Sequence, residues 1–243
     1  MKEIIMGEGL TKIFRRGREE IYALRNVDFS VIEGEFISII GPSGSGKTAL
    51  LNVLGCLDTP DEGSLRLNGI ETKGMKEGNL VKLRRENIGF VFQQFYLMPT
   101  LTARENIELP LLFSHKNRNN SIDDVLNMVG LADRGDHLPG QLSGGEMQRA
   151  ALARAIAIKP EIILADEPTG NLDAKNAWNL VKLLSDINAL GTTVLMTTHN
   201  LDIVSSMNKT VYTIYNGELV VDATSAPKII KKKKKIKKVI SKK

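Results

Sequence analysis

The chain has a single cysteine, Cys56, so an internal disulfide is excluded. That cysteine closes the apolar stretch ALLNVLGC and reads as a packing residue. No apolar run approaches the roughly 18 residues that a membrane-spanning helix needs. The first ten residues, MKEIIMGEGL, contain no apolar signal segment. The expectation is a cytosolic folded body. Histidine is scarce as well, with three in 243 residues. His115 and His137 sit in polar stretches with no sign of chemistry, which leaves His199. No internal repeat is visible.

Acidic residues are absent from the last sixteen positions, where Lys228–Lys243 hold ten lysines. Without that tail, 23 basic residues face 28 acidic ones over 1–227. The formal charge of +5 therefore describes a mildly acidic body with a cationic end. That balance argues against a body-wide nucleic-acid surface. Hydrophobic residues make up 42%, enough for a packed core. The length suits one domain, or one domain with an inserted subdomain.

Alternation along the chain predicts an α/β core. YALRNVDFSV and FISII (36–40) read as strands, the second almost wholly apolar, as in a buried parallel sheet. SLRLNGI alternates like a half-exposed strand, residues 79–87 read as a charged helix, and 88–92 return to strand. Residues 101–158 follow a helical period, with loops at 114–121 and 133–142. Strands at 162–165 and 193–197 flank a helix over 174–189, and 211–215 with 218–221 predict an edge hairpin.

The strand FISII runs into Gly41-Pro42-Ser43-Gly44-Ser45-Gly46-Lys47-Thr48, followed by Ala49 and an apolar helix. This matches G-x-x-x-x-G-K-[ST]. The pattern would arise by chance about once in 100 chains of this length, and the strand-loop-helix context makes chance rarer still. Successive backbone N–H groups and a helix N-terminus can cradle phosphates, with Gly44 and Gly46 free of Cβ clashes. Lys47 should reach the β- and γ-phosphates, and Thr48 should place its hydroxyl on Mg²⁺. The bland alternative is a glycine-rich turn with an incidental lysine.

A second apolar strand, IILA, ends in Asp166-Glu167. Acids at a strand end are often merely solvated. Paired with a phosphate loop, Asp166 can enter the Mg²⁺ shell, and Glu167 can orient or deprotonate an attacking water. His199, just past the strand at 193–197, is either plain surface or a γ-phosphate donor.

Leu142-Ser143-Gly144-Gly145-Glu146, followed by MQRAALARAIA, is the deciding motif. With the phosphate loop and ILADEP in this order, residues 4–222 resemble the nucleotide-binding subunit of an ATP-binding-cassette transporter. The resemblance implies a P-loop NTPase core with an N-terminal antiparallel β region and an inserted helical subdomain over about 95–158. The cassette would occupy 1–227, with 228–243 as a lysine-rich tail. It implies Mg²⁺-dependent hydrolysis of ATP at the cytoplasmic face of a membrane, beside an integral membrane permease subunit. It also implies a head-to-tail dimer, in which Ser143, Gly144, Gly145 and Glu146 of one copy cap the ATP held by Gly41–Ala49 of the other. Gln93 matches the glutamine that senses Mg²⁺ and the attacking water. Asp173 matches a loop crossing the dimer interface, and His199 the switch histidine. Phe14 falls where an aromatic stacks on adenine, with Tyr22 eight residues later. Thr48, Ala49 and Met147 stand where serine, serine or threonine, and glutamine are commoner. None removes a catalytic group.

Two branches of the family are represented. LNVLGCLDTPDEG, IGFVFQQFYLMPTLTARENIELPL and ADEPTGNLD are similar to the branch for lipoprotein release and macrolide export. NAWNLVKLLSDINALGTTVLMTTHNLDIV looks like the cell-division ATPase, which regulates wall remodelling through a membrane partner. DNA-repair ATPases also use a signature motif, but carry a long coiled coil between the half-sites. Here Gln93 and Ser143 are 50 positions apart, with no heptad array between them. The tail, KIIKKKKKIKKVISKK, suits a solubilising end, attachment to anionic lipid, or phosphate contact with nucleic acid.

Overall fold

The computed structural model describes residues 2–114 and 121–221. His115 and the lysine-rich tail, with the readings made for them, lie outside the described residues. Two sheets and a helical layer build the chain. The first sheet is antiparallel and holds β1 (Glu3–Arg16), β2 (Glu19–Ile32), β4 (Glu62–Leu67) and β5 (Ile70–Glu71), in the order β2-β1-β4-β5. The second contains β3 (Phe36–Ile40), β6 (Ile88–Phe92), β7 (Ile162–Asp166), β8 (Thr193–Thr198), β9 (Thr210–Tyr215) and β10 (Glu218–Val221). Its order is β10-β9-β3-β8-β7-β6, and only the edge strand β10 runs antiparallel.

The parallel strands are apolar on both faces because both are covered. Ile37, Ile39, Ile162, Leu164 and Leu195 face the antiparallel sheet, with α1 (Lys47–Leu54) and α2 (Glu77–Asn87) packed into that layer. Ile163, Ala165, Val194 and Met196 face the other side. There they meet α5 (Gly144–Ala157) and α6 (Ala174–Ala189), and the same core continues into α3 (Ala103–Phe113) and α4 (Ile122–Met128). Helix α5 thus packs both on the sheet and on the two helices that precede it.

Two elements go beyond the sequence reading. Residues 3–16 form a long strand, and α7 (Leu201–Met207) follows β8 under an Asn200 cap. The edge hairpin at β9–β10 and the helix over 174–189 lie where the pattern puts them. What positions the site is the register of the parallel strands. Ile40 lies opposite Thr198, Asp166 opposite Thr197, and Phe92 opposite Asp166. The C-terminal ends of β3, β8, β7 and β6 are therefore level, and the segments leaving them share one edge.

Candidate active site

At that edge β3 passes into the loop Gly41–Gly46 and then α1. Gly44 and Gly46 have φ of 76° and 112°, in the left-handed region that favours glycine. A Cβ on Gly46 would stand 2.3 Å from the Ala23 carbonyl oxygen. Position 46 is thus closed to other residues by both conformation and space. The loop is anchored from behind, where Gly217 N donates to Ser45 O (2.9 Å) and Arg25 N donates to Gly217 O (2.8 Å). Ser45 Oγ is buried with no partner among the described residues. Pro42 and Ser43 are exposed, and Ala49 packs against the core between the sheets.

Lys47 is the first residue of α1 and only 5% exposed. Its ammonium donates to Gly41 O (2.9 Å) and Pro42 O (3.1 Å) and pairs with Glu167 Oε1 at 3.2 Å. The other Glu167 oxygen, Oε2, lies 2.7 Å from His199 Nδ1. Glu167 is thus held at both carboxylate oxygens. Its backbone is in the left-handed region, with φ of 44°. That conformation costs a glutamate about 1–3 kcal/mol, and Thr197 helps hold it, because Glu167 N donates to Thr197 Oγ1 at 2.9 Å.

Asp166 is held as closely. Thr48 Oγ1 donates to its Oδ2 (2.8 Å), and Thr197 Oγ1 donates to its Oδ1 (2.6 Å). Gln93, leaving β6, is tied to the loop after β7. Asn171 Nδ2 donates to Gln93 O (3.0 Å), and Gln93 Nε2 lies 3.4 Å from Asn171 Oδ1. Gly170 permits this approach, since a Cβ there would stand 2.8 Å from Gln93 Nε2. Five of the residues singled out in the sequence, Lys47, Thr48, Asp166, Glu167 and His199, are joined in one connected set. Thr197 and Asn171 join the site without having been singled out for it. Neither had a local signal: β8 reads TVLMTT, with three threonines, and only the strand register sets Thr197 opposite Asp166.

The signature turn is elsewhere. Ser143 caps α5, its Oγ accepting from Glu146 N (3.3 Å), while the Glu146 carboxylate accepts from Ser143 N and Oγ (both 2.8 Å). These bonds, the backbone one first, hold the Glu146 carboxyl below its ordinary range. Gly145 lies against Asn176 of α6, where a Cβ would stand 2.5 Å from its side chain. Asp173 caps α6 through Asn176 N (2.9 Å), and its carboxyl is held low by the hydrogen bonds from Asn176. Among the described residues, no hydrogen bond or ion pair ties Ser143–Glu146 to Gly41–Ala49. Phe14, opposite Ile21 near the tip of the β1–β2 hairpin, is 46% exposed. A cavity of about 450 Å³, lined in part by Val125, Ile156 and Leu190, opens at the opposite, N-terminal end of the strands and holds none of these groups.

A glycine loop after a central parallel strand, with acids leaving a nearby strand at the same edge, defines a P-loop nucleoside triphosphatase. The particular family follows from comparison: residues 24–170 match the ABC transporter family, and the chain belongs to it. It is an ATP-binding and ATP-hydrolysing subunit of that family. The chain is 46% identical over 220 residues to the uncharacterized ABC transporter ATP-binding protein MJ0796 of Methanocaldococcus jannaschii, covering 87% of this chain and 93% of that protein. It is 41% identical over 229 residues to the macrolide export ATP-binding/permease protein MacB of Neisseria meningitidis, spanning 93% of this chain and 35% of that longer protein. A dimeric structure of MJ0796 in a post-hydrolysis state, bound to ADP and Pi, superposes with a TM-score of 0.81 at 43% identity, covering 88% of this chain and 96% of that one.

Proposed function

We propose that the chain forms one half of a head-to-tail ATPase dimer that drives an integral membrane permease in export or lipoprotein release. The observation that carries this reading is the set Lys47, Thr48, Asp166, Glu167 and His199, bonded together at one sheet edge. Gly41–Ala49 bind the phosphates, with Lys47 exchanging Glu167 for phosphate oxygens. Glu167 orients and deprotonates water, and His199 donates to the γ-phosphate. Phe14 covers the adenine. The donor set fits Mg²⁺, a hard cation that takes carboxylate and hydroxyl oxygens. Thr48 and Asp166 would hold the ion, with Gln93 beside them. When bound, Mg²⁺ neutralises charge on the phosphates.

Ser143–Glu146 caps a helix N-terminus that its own chain's phosphate loop does not use. A helix N-terminus suits an anion, and a second copy would bring one, with Asp173 at the interface. The dimeric MJ0796 structures support this arrangement. Among the described residues no helix is long and apolar enough to cross a membrane. In this reading the chain sits peripherally at the cytoplasmic face, beside an integral membrane permease subunit. The cassette occupies 1–227. The part of the insert around 95–140 passes ATP-driven closure to the permease, and the tail at 228–243 contacts anionic lipid. Similarity to MacB supports export over wall remodelling in cell division. Helices α3 and α4, of 11 and 7 residues, speak against the coiled coil of a DNA-repair ATPase.

The test is the Glu167→Gln subunit. It should bind MgATP, lose hydrolysis by about 10²–10⁴-fold, and form an ATP-dependent dimer by light scattering. A monomer at saturating MgATP would overturn the dimer reading. Affinity purification from native membranes should bring down a permease with a large extracytoplasmic domain. Recovery of DNA or ribosomal components without any membrane protein would overturn the transport reading.

A further inference from the structure

Gln148 lies on α5, two residues beyond the signature, and is fully buried. Its Nε2 donates to two backbone carbonyls, Phe92 O at 3.0 Å and Pro168 O at 2.9 Å. Both neighbours are acceptors, so only the NH₂ end of the amide can face them. The first carbonyl immediately precedes Gln93, and the second immediately follows Glu167. One amide thus joins three segments: the helix that carries Ser143–Glu146, the exit of β6, and the exit of β7. Its Oε1 is also buried and has no partner among the described residues.

A buried, half-satisfied amide is a poor choice for stability alone. An apolar side chain of the same size would remove the orphan oxygen but leave the Phe92 and Pro168 carbonyls without this donor. Its geometric effect is specific, however. On the solvent side, Asn171 fastens the same two exits to each other through Gln93. Gln148 fastens them on the inside and adds α5. The first turn of α5 is also packed on the first turn of α6 at Gly145 and Asn176. A shift of α5 is therefore coupled, through one side chain, to the backbone just before Gln93 and just after Glu167.

We propose that Gln148 is a positioning residue, which holds the backbone flanking Gln93 and Glu167 in fixed relation to the signature turn. Within a dimer, this would set one chain's hydrolytic geometry according to how its own signature seats on the partner's nucleotide. The inference rests on the dimer reading above.

The test uses the full chain with Gln148→Met, which keeps length and apolar packing and removes the amide. The readouts are fluorescent-nucleotide affinity, and kcat and KM for MgATP per nucleotide-binding site. The expected result is a kcat lower by about 10–100-fold, with KM and nucleotide affinity changed less than about twofold. A purely structural role would reduce the number of binding-competent molecules and leave kcat per site unchanged, which would overturn the proposal. If Gln148→Met fails to bind nucleotide, Gln148→Asn, which draws the same amide back by one methylene, is read in the same way. Loss of nucleotide binding in both variants also overturns the proposal, since the residue would then be holding the fold. The Glu167→Gln dimer is measured alongside. Its absence would sink the dimer reading, whereas a normal dimer with unchanged kcat in Gln148→Met would sink only the role of Gln148.

Discussion

Thr48 and Asp166, 118 positions apart in the chain, meet through a 2.8 Å hydrogen bond from the threonine hydroxyl to Oδ2. One is the second residue of α1, after the phosphate loop, and the other ends β7. The bond crosses the strand between them, since β8 separates β3 from β7 in the sheet. Both oxygens belong to the donor set proposed for Mg²⁺. Thr48→Val keeps the shape and deletes the hydroxyl. ATPase assays over a Mg²⁺ titration should then show half-activation moved up by about tenfold or more. Thr48→Ser, which keeps the hydroxyl, should behave as the parent. Equal Mg²⁺ dependence in Thr48→Val and the parent would remove Thr48 from the metal shell.

The groups that sequence reveals best are those whose chemistry is local. The phosphate loop, the acids after IILA and the signature each declare themselves within eight residues, because one turn or one strand end builds each of them. Strand β1 is different. Its pairing with β2 shifts register at four places, so the simple two-residue alternation of a strand is broken. Helix α7, at seven residues, is too short to show a period, and its Asn200 cap is the main sign of it. Partners such as Asn171 for Gln93 depend on sheet order, which local pattern does not contain.

Cys56 illustrates a residue whose chemistry burial removes. It is 5% exposed, and burial, partly offset by the Arg84 guanidinium, pushes its thiol up to about 11. The thiolate is the reactive form, so the native protein should react with a thiol reagent far more slowly at pH 8 than the urea-unfolded chain. The sign for stability follows. An unfolded thiol near pKa 8.5 releases its proton first, so the unfolded state binds fewer protons above that pH. This contribution to stability is complete below about pH 8.5 and falls as pH rises toward 11. Cys56→Ser, measured by urea denaturation at pH 7 and pH 10, should lose less stability over that interval than the parent.

The lysine tail offers a separable test. With ten lysines in 228–243 against a body of net −5, the charge is concentrated where a surface could use it. Each lysine near an anionic bilayer contributes about 1 kcal/mol at low salt. Deleting 228–243 should lower co-sedimentation with phosphatidylserine vesicles, and raised salt should weaken parental binding in the same assay. MgATP hydrolysis in solution should be unchanged, because every residue assigned to it lies between Phe14 and His199. Equal vesicle binding by the deleted and full chains at low salt would dismiss lipid attachment.

Thr197 is the sharpest case of a residue that only strand register exposes. It is fully buried in β8, directly opposite Asp166. Its single hydroxyl donates to Asp166 Oδ1 at 2.6 Å and accepts from Glu167 N at 2.9 Å. One oxygen therefore sets the rotamer of the first acid and helps hold the left-handed backbone of the second. Thr197→Val preserves volume and branching but leaves a backbone N–H without its partner. The expected cost is about 1–3 kcal/mol in urea denaturation. A purely stabilising hydroxyl would affect nothing more. A hydroxyl that also fixes Glu167 should lower kcat while nucleotide affinity, set by the backbone N–H groups of the phosphate loop, is retained. Thr197→Ser should restore both the bond pattern and the rate. If Thr197→Val is destabilised but turns over ATP at the parental rate per folded molecule, Glu167 is positioned by Lys47 and His199 alone.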